Sequence, residues 1–185
     1  MRINWLALKY LVCAFLVCSS SWSSAEPFGI QLKELDSLLN NSPDSLVFID
    51  VRDPIEIMFT GFTDAVDSNI PYQFVDRSLW NEQKGVFMMN LNTNFVEQVK
   101  SLLIDKGLSK DARIVTMCRS GSARGKPSAE YLRAQGFSGA RYLINGFQGS
   151  VTNEGEHKGL RVENGWQNSG LPWQQKPNPL KIYRD

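Results

Sequence analysis

The stretch Arg113-Ile-Val-Thr-Met-Cys118-Arg-Ser-Gly-Ser-Ala-Arg124-Gly-Lys-Pro-Ser-Ala-Glu-Tyr-Leu-Arg-Ala-Gln-Gly-Phe137 reads as strand, loop and helix in succession. Ile114 to Met117 is a short apolar run of the kind that a strand buried on both faces requires. Pro127 suits the first turn of a helix and Gly136 the position just past its end, which predicts a helix from Pro127 to Gln135. Between them lies Cys118-Arg119-Ser120-Gly121-Ser122-Ala123-Arg124-Gly125. A cysteine placed after a strand and before a helix meets unpaired backbone N–H groups and the positive end of the helix dipole, and both favour thiolate over thiol. Arg119 and Arg124 add fixed positive charge, and Gly121 and Gly125 let the backbone curl. The same concave run of N–H groups suits a sulfonate, phosphate or arsenate oxyanion. A buried, inert cysteine is the ordinary alternative. Packing alone does not explain two arginines and two glycines in residues 119–125.

Outward from this stretch, buried strands alternate with helices. Leu46 to Val51 is a nearly continuous apolar run ending in Asp50, Arg52, Asp53 and Pro54. Asp50 and Arg52 fall at the strand end where open α/β sheets carry their functional loops, and an ion pair that fixes the loop is the simpler reading of them. Leu32, Leu35, Leu38 and Leu39 mark a short amphipathic helix over Ile30 to Asn40, and Phe95 to Lys106 a second, capped by Thr93 or Asn94 and stopped by Gly107. Ile55 to Gly61 allows one or two helical turns, Ala65 to Tyr72 a short extended piece, and Ala140 to Ile144 a strand. Arg77 to Asn92 carries Trp80, Phe87, Met88 and Met89 without a clear period and reads as a covered excursion or a loop over the site. Trp166, Leu171 and Trp173 read as anchors of the C-terminus, and the residues after Pro177 as loose. The pattern predicts an α/β fold with a mainly parallel central sheet flanked by helices.

The chain has 185 residues, three cysteines and a formal charge of +1. Its first 25 residues have the marks of a secretory signal peptide: Arg2 and Lys9, an apolar run from Tyr10 to Cys18, and the small residues Ser23-Ser24-Ala25. The apolar run is too short to span a bilayer, so no stable membrane insertion is expected after cleavage. Residues 26–176 then form one domain and 177–185 a C-terminal tail, with a periplasmic or secreted location. Cleavage removes Arg2 and Lys9 and no carboxylate, taking the charge from +1 to −1. That balance gives no footprint for nucleic acid. It also removes Cys13 and Cys18, leaving Cys118 alone, and a lone cysteine in an exported chain points to a reactive thiol or an intermolecular bridge. His157, the chain's one histidine, lies in the polar, glycine-rich Gly149 to Gly165 segment and reads as a solvated side chain.

Taken together, Phe48-Ile49-Asp50-Val51-Arg52, the Ile114 to Gly121 strand and loop, and Gly165-Trp166 with Gly170-Leu171-Pro172-Trp173 resemble the rhodanese-like single-domain sulfurtransferases over nearly the whole mature length. The resemblance implies transfer of a sulfane sulfur through a persulfide on Cys118, from thiosulfate or a similar donor to a thiol or cyanide acceptor. A protein acceptor is left open. Arg119, Ser120, Gly121, Ser122, Ala123 and Arg124 would bind substrate, and neither a metal nor an organic cofactor is implied. Two departures stand out. The family's Gly-His-Ile-Pro-Gly-Ala segment is represented only by Gly61-Phe62-Thr63-Asp64-Ala65. Arg124 follows Cys118 after five intervening residues, the register of related dual-specificity phosphatases and arsenate reductases. A phosphatase or arsenate reductase of that type, and a non-catalytic sulfur carrier or binding module, are the alternatives.

Overall fold

Two runs of alternating buried side chains set the layers. The computed structural model describes residues 28–184, so the leader peptide expected over residues 1–25 lies outside the described residues. In β2 (Leu46–Asp50) every residue is buried. Leu46 and Phe48 face one side of the sheet, with Val115 and Met117 of β6 (Arg113–Met117); Val47 and Ile49 face the other, with Ile114 and Cys118. Period-two alternation with apolar residues on both faces is what a sheet covered by helices on each side demands.

The central sheet adds β1 (Gly29–Ile30), β3 (Ser68–Asn69) and β7 (Ala140–Leu143), in the order β1-β7-β6-β2-β3. All its pairings are parallel, and β2 meets β6 in register from Leu46 opposite Arg113 to Asp50 opposite Met117. On one face lie α1 (Leu32–Asn41), α2 (Pro54–Thr60) and Trp166, packed around Phe48, Phe62 and Phe147. On the other lie α3 (Phe95–Asp105) and α4 (Gly125–Ala134), through Phe95, Val99, Leu103 and Leu132. The expected α/β class is therefore the one observed, and helix ends follow the sequence signals closely. Gly107 and Gly136 stop α3 and α4 at φ of 67° and 87°, conformations in which only glycine is unstrained. The α3 cap differs in one detail: Asn94 occupies the cap position without a side-chain bond, and the Asn92 side chain instead accepts from the Asn94 N–H at 3.0 Å.

Three expectations need correction. Residues 77–92 are not a covered excursion: β4 (Gln73–Asn81) and β5 (Val86–Leu91) form an antiparallel hairpin outside the central sheet. The register slips between Asp76 and Trp80, and such a bulge destroys the alternation by which a strand is recognised. Leu79, Trp80, Val86, Phe87, Met88 and Leu91 remain exposed on it. Second, α4 starts at Gly125 rather than Pro127; a proline at the third helical position is tolerated because that N–H has no intrahelical acceptor. Third, the tail is tied down. The Lys181 carbonyl accepts from the Asn69 N–H at 2.7 Å, Lys181 Nζ donates to the carbonyls of Asp64 and Val66 at 2.7 and 2.8 Å, and Tyr183 packs on Phe74 at 5.2 Å.

Candidate active site

Cys118 follows β6 directly, at the carboxyl end of a central strand where open parallel sheets place their sites. The loop after it is held from below by the turn that follows β7. The Cys118 carbonyl accepts from Phe147 N–H at 2.8 Å, and the Arg119 carbonyl from Gln148 and Gly149 N–H at 2.8 and 3.2 Å. Gly146 makes this approach feasible. Its φ is 54°, and a Cβ there would overlap the Cys118 carbonyl oxygen and the Gly121 nitrogen. Gly146→Ala is accordingly expected to cost about 1–3 kcal/mol through backbone strain alone, and more if the loop is displaced. Urea unfolding checks it, and an unchanged midpoint would show that the turn does not support the loop.

Gly121 (φ 81°) carries the chain around, and its carbonyl accepts from Lys126 N–H at 2.8 Å. The N–H groups of Arg119, Ser120, Gly121, Ser122, Ala123 and Arg124 meet no protein acceptor among the described residues. Six consecutive unpaired donors beside a helix start are what an anion-binding nest consists of.

The thiol itself is fully buried. A cysteine in a loop between strand and helix is expected to keep its side chain out of the core; here the side chain lies in the apolar layer between β6, α3 and α4, because it continues the inward alternation of β6. A Cβ added at Gly125 would lie 3.4 Å from Sγ, so the thiol packs on the first residue of α4. That residue is fixed in turn: its carbonyl accepts from Thr116 Oγ1 and from Ser128 Oγ, each at 2.8 Å.

The two loop arginines turn to different partners. Arg124 is buried and grips Glu56 of α2 with both terminal nitrogens, at 2.6 and 3.0 Å. Burial disfavours its charge, but hydrogen bonds and charge from Glu56, with Cys118 and Asp50 adding attraction, hold its proton affinity above the usual arginine value. Arg119 is exposed and donates from Nε to Gln148 Oε1 at 2.7 Å. Ser120 and Ser122 join hydroxyls at 3.0 Å, while Ser122 and Ala123 lie exposed at the rim. Arg161, from the 149–165 loop, also reaches this region: its Nη1 donates to the Gly149 carbonyl, and it feels the charges of Arg119, Cys118 and Glu56. His157 is exposed on the same loop.

Asp50 and Arg52 form the ion pair that the strand end suggested. Both are fully buried, 2.5 Å apart. Arg52 also donates to Thr60 Oγ1 at 2.7 Å and to the Gly61 carbonyl at 3.1 Å, and its guanidinium lies over the Phe147 ring at 4.1 Å. One buried cation thus links the ends of β2 and α2 to the residue whose N–H holds the Cys118 carbonyl.

Neither protein-family models nor curated proteins give a match to the sequence. Solved structures do. Over 80% of this chain and 99% of the other, the structure superposes on Rv0390 from M. tuberculosis, with a TM-score of 0.53 and 25% identity. A rhodanese-related protein from Thermoplasma volcanium matches with a TM-score of 0.43 and 16% identity, over 81% of this chain and 100% of that one. The polysulfide-sulfur transferase homodimer of Wolinella succinogenes matches with a TM-score of 0.40 and 24% identity, over 78% and 77%. Rv0390 shares the fold.

Within this fold the segment after α2, where the sequence departs from the family it resembles, has its own support. Gly61 (φ 92°) leaves no room for a Cβ beside Trp173, and Phe62 pairs with Gln174 across two backbone bonds of 2.7 Å. Glu56, Gln148 and Arg161 are the site residues that sequence reasoning missed. Each lies far along the chain from Cys118, and no local spacing marks it.

Proposed function

We propose that this chain is a sulfurtransferase. The supporting observation is the placement of Cys118 at the end of β6, at the start of α4, beside six consecutive N–H groups without a protein acceptor. In the first step the Cys118 thiolate attacks the outer sulfur of thiosulfate or a similar donor. The donor S–S bond breaks, sulfite leaves with its electron pair, and Cys118 carries a persulfide. In the second step cyanide or a thiol takes the outer sulfur and Cys118 returns as thiolate. Arg119 to Arg124 hold the anionic sulfur and donor oxygens through their N–H groups. Arg124 adds its charge while braced by Glu56.

The cysteine-x5-arginine register favours phosphatase or arsenate reductase chemistry as a second reading. Arg124 pairs with the Glu56 carboxylate through both terminal nitrogens and keeps its remaining N–H groups for an oxyanion, so its geometry fits either donor. Turnover decides between them. Thiocyanate production from thiosulfate and cyanide, without hydrolysis of p-nitrophenyl phosphate or reduction of arsenate, is the expected result. The reverse pattern would overturn the proposal. A non-catalytic sulfur carrier, the reading that full burial of the thiol supports, would load sulfur and release it slowly. Export to the periplasm or medium is part of the same proposal and rests on residues 1–25; a secreted chain that keeps those residues would refute it.

A further inference from the structure

Beside the Cys118 loop lies a depression of about 410 Å³, bordered by Ser120, Gly121 and Ser122 of the loop, Lys126 of α4, and Ser150 and Arg161 of the 149–165 loop. Among the described residues no carboxylate lines it. Among the described residues Lys126 has only a distant partner, Glu130 at 3.9 Å, with both side chains half exposed. Arg161 spends Nη1 on the Gly149 carbonyl and forms no ion pair among the described residues. The 149–165 loop that presents it is tightly built: Gly149 and Gly165, at φ of 89° and 87°, lie too close together to admit a Cβ, and the Asn168 side chain donates to the carbonyls of Gln148, Arg161 and Asn164. The guanidinium is thereby held near Arg119, whose carbonyl accepts from the Gly149 N–H at 3.2 Å.

Burial first, and then the charge of Arg119, push the Arg161 proton affinity below its usual value, against attraction from Cys118 and Glu56. Cations at the border of a depression whose floor includes the apolar side chains of Tyr142, Ile144 and Val151, with no carboxylate among the described residues that line it, are arranged for an anion from outside. The volume exceeds that of a single inorganic anion and falls in the range of small-molecule sites. Two cations arrive from separate elements, which matches two separated negative groups.

We infer that this depression is an acceptor subsite that binds the carboxylates of a low-molecular-weight dicarboxylate thiol, with Arg161 and Lys126 as its specificity residues. The role as acceptor rests on the sulfur-transfer reading above; the anion site does not. The bound thiolate attacks the outer sulfur of the Cys118 persulfide. A new S–S bond forms on the acceptor, the bond to Cys118 Sγ breaks, Cys118 leaves as thiolate, and any proton on the outer sulfur stays with it. No oxidant or reductant is consumed.

The test compares mercaptosuccinate, with two carboxylates, and 2-mercaptoethanol, with none, as acceptors from thiosulfate, together with calorimetric binding of succinate. Arg161→Gln and Lys126→Gln are each expected to lower the kcat/KM ratio of mercaptosuccinate to 2-mercaptoethanol about tenfold, the loss of one charge-assisted hydrogen bond. Succinate binding weakens in step. Lys126 is exposed on its helix, so its variant retains the fold even if Arg161→Gln loosens the loop. A ratio that neither variant moves, or no succinate binding by the wild type, overturns the subsite and leaves sulfur transfer standing. Succinate binding that Arg161→Gln weakens, in a protein that takes no sulfur from thiosulfate, leaves the anion site standing and overturns its role as acceptor subsite.

Discussion

Cys118→Ser is expected to lower the proposed sulfur transfer from thiosulfate to cyanide by more than about a thousandfold, as loss of a covalent nucleophile does. An alkoxide precursor at this position neither ionises readily nor holds a sulfane sulfur. The substitution is not silent for stability. Sγ lies fully buried against Gly125 and the apolar layer of α3 and α4, and a hydroxyl placed there without a partner costs about 1–3 kcal/mol. Cys118→Ala avoids that penalty and isolates the chemical role. Thiocyanate formation and thermal melting of the three proteins check this, with activity gone in both variants and the serine form the less stable of the two. Wild-type turnover in either variant would remove Cys118 from the mechanism.

The largest effect on stability is expected at Arg52. Arg52→Ala strands the Asp50 carboxylate in the core and removes the bonds to Thr60 and Gly61 and the contact with the Phe147 ring. Breaking a buried pair from one side typically costs about 3–5 kcal/mol. The double variant Asp50→Asn with Arg52→Met removes both charges and recovers part of the loss. Urea unfolding measures both. Activity falls with Arg52→Ala because Phe147, whose N–H holds the Cys118 carbonyl, loses its support. A cost under about 1 kcal/mol would mean that solvent reaches Asp50 when Arg52 is gone.

Much of this architecture is legible along the chain. Leu46 to Val51 and Ile114 to Met117 announce buried parallel strands because both faces of each are apolar, and Gly107 and Gly136 announce helix ends because the chain needs φ above zero there. The hairpin of residues 73–91 escapes such reading: its bulge shifts the period, and its apolar side chains face solvent, so neither alternation nor burial marks it. The tail escapes for a different reason. Its attachment is through the backbone of Lys181 and Asn69, the Lys181 ammonium on two carbonyls and Tyr183 on Phe74, partners more than a hundred positions away that no local spacing marks.

The candidate site divides in the same way. Cys118 to Gly125 form one continuous peptide, so their shared loop follows from order alone. Their partners do not. Glu56 reaches Arg124 from 68 positions away and Gln148 reaches Arg119 from 29, and only the packing of α2 and of the turn after β7 against the sheet edge brings them in. The burial of Cys118 was likewise hidden, since whether the last residue of an alternating run points inward depends on the cover that α3 and α4 provide. Asp50 and Arg52 were legible because a charge pair two residues apart at a buried strand end has few options other than mutual neutralisation.

The intact mass of the purified protein, before and after thiosulfate and again after cyanide, tests the central claim most directly. The account predicts a gain of one sulfur atom, about 32 Da, that maps to Cys118 and is lost to cyanide as thiocyanate. No gain with thiosulfate, in a protein that hydrolyses a phosphate ester or reduces arsenate, would contradict it.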